Sequence, residues 1–140
     1  RVEGVVDEER VTGMRVGTEW LVEAEGCSPE ALRDGDLLRR LCEEIVAALG
    51  VRLVERPLWH QFPPPGGITG LHLLAESHLA CHTYPEHGIA TFNLFSCGGR
   101  GEWPWEARLR QALGAARVTV RALARGESEP RPAATRATAR

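Results

Sequence analysis

The sequence predicts an α/β fold of the α+β kind, a two-layer sandwich in which a mainly antiparallel sheet carries helices on one face. Three observations lead there: two stretches with helical spacing, several short stretches of near-alternating apolar and polar residues, and their order of strand, helix, strands, helix, strand. A chain of 140 residues suits a single domain with a moderate core.

Taken in order, residues 1–17 form a charged, glycine-containing lead without a clear period, expected to be loose or a short strand. TEWLVEAEG alternates and stops at Gly26, which predicts a strand over 18–25 and starts a domain expected to run over 18–125. In DGDLLRRLCEEIVAALG the apolar residues Leu37, Leu38, Leu41, Cys42, Ile45, Ala48 and Leu49 recur at three and four; Asp34 or Asp36 caps the start and Gly50 ends the helix. VRLVERPLWHQF reads as a strand that Pro57 assigns to a sheet edge or a bulge. After the turn PPPGG, ITGLHLLAESHLACHT is extended and broken at Glu76-Ser77; GIATFNLFSC, beyond the Pro85-Glu86 turn, pairs with it as a hairpin. WPWEARLRQALGAA reads as a second helix, with Pro104 in its first turn and Trp105, Leu109, Ala112 and Leu113 on one face. RVTVRALARG closes the sheet, and the proline- and charge-rich residues 126–140 are expected to be a disordered tail.

Seventeen basic against nineteen acidic residues give a net charge of −2 with no basic run, which argues against a nucleic-acid surface. No window approaches the roughly 20 apolar residues of a membrane helix, and RVEGVVDEER lacks the apolar stretch of a secretory signal, so a soluble cytoplasmic protein is expected. Cys27, Cys42, Cys81 and Cys97 show no disulfide-framework spacing and are expected as thiols.

The chemistry concentrates in residues 75–99, where Glu76-Ser77 is followed by His82 five residues after the serine and Cys97 twenty after it. These types can supply a nucleophile, a base and an acid, yet no nucleophile-elbow glycines and no acidic third partner surround them as in ordinary hydrolases. Each alone reads as a turn serine, a core histidine or a buried thiol; their joint spacing carries the signal. No metal is expected: no Cys-x-x-Cys knuckle occurs, and adjacent Cys81 and His82 point to opposite faces of a strand. His60, His72, His78 and His87 read as surface or strand residues.

ESHLACHTYPEHG followed by FSCG resembles the processing site of the bacterial and archaeal pyruvoyl-dependent S-adenosylmethionine decarboxylase proenzymes, and the likeness extends over roughly residues 17–126. Flanking EGC at 25–27, His60-Gln61-Phe62 before a Pro-Gly turn, and Gly66-Gly67-Ile68-Thr69-Gly70 are similar too. The resemblance implies a zymogen that cuts itself between Glu76 and Ser77 into chains 1–76 and 77–140. Ser77 attacks the Glu76 carbonyl in an N-to-O acyl shift; Thr69, where the family usually has serine, donates to the oxyanion; His82 takes the α proton. Elimination and loss of ammonia then leave a pyruvoyl group. Its ketone forms a Schiff base with the substrate amine and its amide carbonyl accepts electrons, so neither metal nor pyridoxal phosphate is needed.

By the same resemblance Cys97 is the proton donor in decarboxylation, Phe62 stacks on adenine and Glu86 binds the ribose hydroxyls. The product, decarboxylated S-adenosylmethionine, would serve spermidine synthesis. A homodimer is implied, with Phe62 facing the pyruvoyl group of the other protomer. Departures from the family pattern fall at Tyr84 for tryptophan, His87 for tyrosine, Asn93 for aspartate and Glu19 for histidine. They leave two alternatives open: an ornithine or arginine decarboxylase on the same scaffold, and an unprocessed binding module should Thr69 fail to support the acyl shift.

Overall fold

The computed structural model describes residues 2–3, 16–97 and 102–126. Most of the lead and nearly all of the tail lie outside these residues, so the expectations for them do too. The elements run β1 (Val2–Glu3), β2 (Gly17–Glu25), α1 (Pro29–Leu32), α2 (Gly35–Leu49), β3 (Leu58–Gln61), β4 (Ile68–Leu74), β5 (Ser77–Tyr84), a 3₁₀ turn (Pro85–His87), β6 (Ile89–Ser96), α3 (Trp105–Leu113) and β7 (Arg117–Arg125). They form one sheet in the order β1-β7-β2-β6-β5-β4-β3. Every pairing is antiparallel except that of the two-residue β1 with β7.

Local chemistry sets these boundaries. The Asp34 carboxylate accepts from the Leu37 amide at 3.1 Å, so Asp34 rather than Asp36 caps α2. Gly50 ends α2 with φ 66°, a left-handed conformation that glycine adopts without strain. The long strand expected over 51–62 is cut to Leu58–Gln61, with Leu53 bridging Leu74 in isolation. Pro57 has no amide hydrogen to give a ladder, and β3 starts directly after it, at the sheet edge as the proline predicts. Pro104 caps α3 instead of lying in its first turn. The short α1, capped by Ser28 accepting from the Ala31 amide at 3.3 Å, escaped the sequence reading because four residues show no period.

Alternation along the strands assigns the two faces. Trp20, Val22, Ala24, Leu74, Leu79, Cys81, Phe92, Leu94, Val118 and Val120 are buried beneath α2 and α3, whose Leu38, Leu41, Cys42, Ile45, Leu109 and Leu113 complete the core. Val46 joins that stripe and Ala48, expected in it, is exposed. The opposite face has no helix over it. Leu58, Leu71, Leu73 and Leu123 stand exposed there, beside Thr69, His78, His82, Asn93 and Phe95.

Candidate active site

The predicted break at Glu76-Ser77 is the tip of the β4–β5 hairpin. Leu74 opposes Ser77, leaving Ala75 and Glu76 as the two loop residues. Glu76 has φ 61° and is the non-glycine residue with positive φ among those described. Hairpins of this length usually place glycine or asparagine where φ is positive, because a Cβ there crowds the backbone. The glutamate therefore holds strain of about 1–2 kcal/mol in the peptide before Ser77.

Around that peptide two contacts converge. The Cys97 thiol lies 2.7 Å from the Glu76 carbonyl oxygen and donates to it. The Ser77 hydroxyl, in a buried residue, donates to the carbonyl of Phe95 on β6. Serine, Glu76 carbonyl and thiol thus form one cluster: a hydroxyl one residue from a carbonyl that a donor already polarises. A backbone acceptor such as the Phe95 carbonyl has no signature in a sequence.

Thr69 and His82 form a second cluster. They are cross-strand partners on β4 and β5, with Thr69 Oγ1 3.0 Å from His82 Nδ1 on the helix-free face. His82 is five residues from Ser77 along one strand, about 16 Å away at the usual rise and on the opposite face. One chain therefore does not bring His82 to its own Ser77. Cys81 is fully buried on the helix side, facing away from His82 as expected.

Phe62 and Glu86 lie at the end of the sheet that carries the second cluster. Phe62 follows β3, its amide bonded to the Gly67 carbonyl at 2.8 Å, and its ring is 52% exposed. Glu86 sits in the 3₁₀ turn after β5. Gly67 holds the two segments together: a Cβ there would stand 2.6 Å from the Thr83 carbonyl oxygen and 3.7 Å from Pro85. The Thr83 hydroxyl accepts from the Ile68 amide at 2.9 Å and donates to the Leu32 carbonyl at 2.6 Å, tying α1, β4 and β5 at this end. Thr83 was legible only as the threonine of the His-Thr pair, without a role.

The substituted positions Glu19 and Asn93 meet each other. Asn93 Nδ2 donates to Glu19 Oε1 at 2.9 Å and the Arg125 guanidinium donates to Glu19 Oε2, which together hold the Glu19 carboxyl below its ordinary range, Asn93 contributing most. Burial pushes the Cys27 thiol up; contact with the Cys81 thiol, then burial, pushes Cys42 well up. No group of three metal-ligating side chains converges among the described residues.

Fold and site define an α+β protein of two layers that carries a serine, a carbonyl and a thiol together at a strained hairpin tip. Its sequence matches the S-adenosylmethionine decarboxylase family over residues 18–126. It is 36% identical over 121 residues to the S-adenosylmethionine decarboxylase proenzyme of Moorella thermoacetica, covering 85% of this chain and 94% of that one. It is 37% identical over 87 residues to the proenzyme of Thermococcus gammatolerans, where the match spans 62% of this chain and 59% of that relative's length. The crystal structure of the adenosylmethionine decarboxylase from Aquifex aeolicus superposes with a TM-score of 0.66 at 28% identity, over 84% of this chain and 97% of that one. The chain belongs to the S-adenosylmethionine decarboxylase family.

Proposed function

We propose that this chain is a proenzyme that cuts itself between Glu76 and Ser77 and then decarboxylates S-adenosylmethionine. The observation that carries the reading is the Glu76-Ser77 turn, with a left-handed residue at φ 61° and its carbonyl 2.7 Å from the Cys97 thiol. Ser77 Oγ attacks the Glu76 carbonyl carbon; the C–O bond of an ester forms and the C–N bond breaks, and opening the turn relieves the left-handed strain. Cys97, rather than the Thr69 that the family resemblance implies, donates to the oxyanion as it develops, since in one chain Thr69 lies beside His82 at the far end of β4. His82, whose ring Thr69 orients, takes the α proton of the esterified serine. The Glu76 carboxylate leaves by elimination, and water replaces the resulting enamine nitrogen as ammonia.

The residues at the tip fit a pyruvoyl group at position 77. Cys97 and the Phe95 carbonyl both lie against the Glu76–Ser77 peptide, so a thiol and a backbone acceptor flank the position such a group would take. Such a group supplies a ketone for the substrate amine and an electron sink for the carboxylate that is lost. Cys97 then returns a proton to the carbon, a role suited to a thiol that is half-buried rather than sealed in the core. Phe62 offers an open aromatic face for adenine, and Glu86 two acceptor oxygens for ribose hydroxyls.

Two copies make the site whole in this reading. Ser77 and Cys97 stand at one end of the β4–β5 hairpin; Thr69, His82, Phe62 and Glu86 gather toward the other. A two-fold pairing of the helix-free faces covers Leu58, Leu71, Leu73 and Leu123 and brings the second cluster of one copy to the end of the sheet where its partner's β4–β5 hairpin tip lies. Free thiols support a cytoplasmic setting, and no helix among the described residues is long and apolar enough to cross a membrane.

The test is an intact mass spectrum of denatured protein beside a Ser77→Ala control. Two fragments, the second with a blocked end, are expected from wild type and none from the variant. A wild-type chain that stays whole on long incubation overturns the reading.

A further inference from the structure

We infer that His60 is a positioning residue that presents the Phe62 ring to the nucleoside, an inference that rests on the substrate reading above. Phe62 lies beyond the end of β3 with its ring half-exposed. One ring is packed on it: His60, edge to face, with centroids 4.6 Å apart and planes at 87°. The two residues are two apart along the chain, so their side chains leave the same side of the strand. Such pairs contribute beyond the area they bury, and here the contact selects one orientation of a ring that water would otherwise leave free.

The backbone beneath both rings is pinned. His60 is in register with Thr69, and the Gln61 side-chain Nε2 donates to the Arg33 and Gly66 carbonyls at 3.0 and 3.3 Å. His60 and Phe62 line one crevice of about 720 Å³, roomy enough for a nucleoside, with Arg33 and the proline turn as its other walls. His60 is also the cross-strand neighbour of Thr69, whose hydroxyl meets His82. The imidazole therefore joins the stacking ring to the second cluster in one row on the helix-free face. Fixing the ring before substrate arrives lowers the ordering cost of binding and leaves the bond-breaking step to other groups.

The test compares wild type, His60→Ala and His60→Tyr as full chains of matched melting temperature, with adenosine titrated calorimetrically into the self-cleaved protein and kcat and KM measured for decarboxylation. His60→Ala is expected to weaken adenosine binding and raise KM by about 3- to 10-fold, the loss falling on KM rather than kcat. His60→Tyr is expected to restore most of both, since it keeps an aromatic edge. Wild-type adenosine affinity in His60→Ala, failure of tyrosine to restore it, or a loss confined to kcat overturns the proposal. A wild type that does not cut itself, or cuts itself and binds no adenosine, overturns the substrate reading as well, and is distinguished because all three proteins then behave alike.

Discussion

Single side chains near the site carry their environment in their charge. The Glu19 carboxylate sits on the helix-free face, bonded to Asn93 and Arg125 with His78 nearby, and these partners depress its pKa. A depressed carboxylate adds stability above its unfolded pKa of about 4.3 and loses it as the pH falls through the folded value. Glu19→Gln is thus expected to cost about 1 kcal/mol at pH 7. The gap to wild type should narrow as the pH falls below about 4.3 and close only below the depressed folded value. Urea midpoints at pH 7 and pH 3.5 check this, and an unchanged gap sinks the ionic pairing. Ser77, His82 and Cys97 drew attention through their joint spacing, and Thr69 through the family resemblance; the structure shows Thr69 against His82 and Cys97 against the Glu76 carbonyl. The Glu19–Asn93 contact was not legible, since its partners lie 74 residues apart and nothing local in either one points to the other.

At the scale of elements, alternation and helical spacing revealed β2, α2, β4, β5, β6, α3 and β7, because each buries one face against a single core. Pro57 announced the edge strand, though not how short it is. The conformation of the hairpin tip was hidden: no preference puts glutamate at φ 61°, and the fold imposes it through the Leu74–Ser77 register. Glu76→Gly isolates that effect, since glycine meets no Cβ penalty there. In the uncut Ser77→Ala background it is expected to stabilise by about 1 kcal/mol, raising Tm by roughly 3 °C. In the self-cutting chain the relieved strain no longer drives the acyl shift, and fragments should appear about fivefold more slowly in a mass-spectrometric time course. A raised Tm with an unchanged cutting rate would show that the strain is not used in cleavage.

For the whole molecule, if Ser77 and His82 act together as proposed, their separation implies that two chains make one site. Five residues along β5 cannot be closed by side-chain rotation, whereas two sheets packed face to face on a two-fold axis exchange their ends and bring His82 of one copy to the hairpin tip of the other. The exposed leucines of the helix-free face supply the apolar area for such a pairing, and sedimentation is expected to give twice the 15.4 kDa chain mass. Complementation tests the shared site directly. Ser77→Ala lacks the nucleophile and His82→Ala the base, so each protein alone is expected to stay uncut. In a mixed dimer the intact serine of the His82→Ala chain faces the intact histidine of its partner. Co-refolded in equal amounts with random pairing, about half of the His82→Ala chains then meet that partner and are cut, while the Ser77→Ala chains remain whole. Mass spectrometry separates the two because each chain carries its own substitution. If mixed dimers form and no chain is cut, the histidine does not act across the pair and the two-copy site is wrong; if His82→Ala cuts itself unaided, His82 is not the base at all.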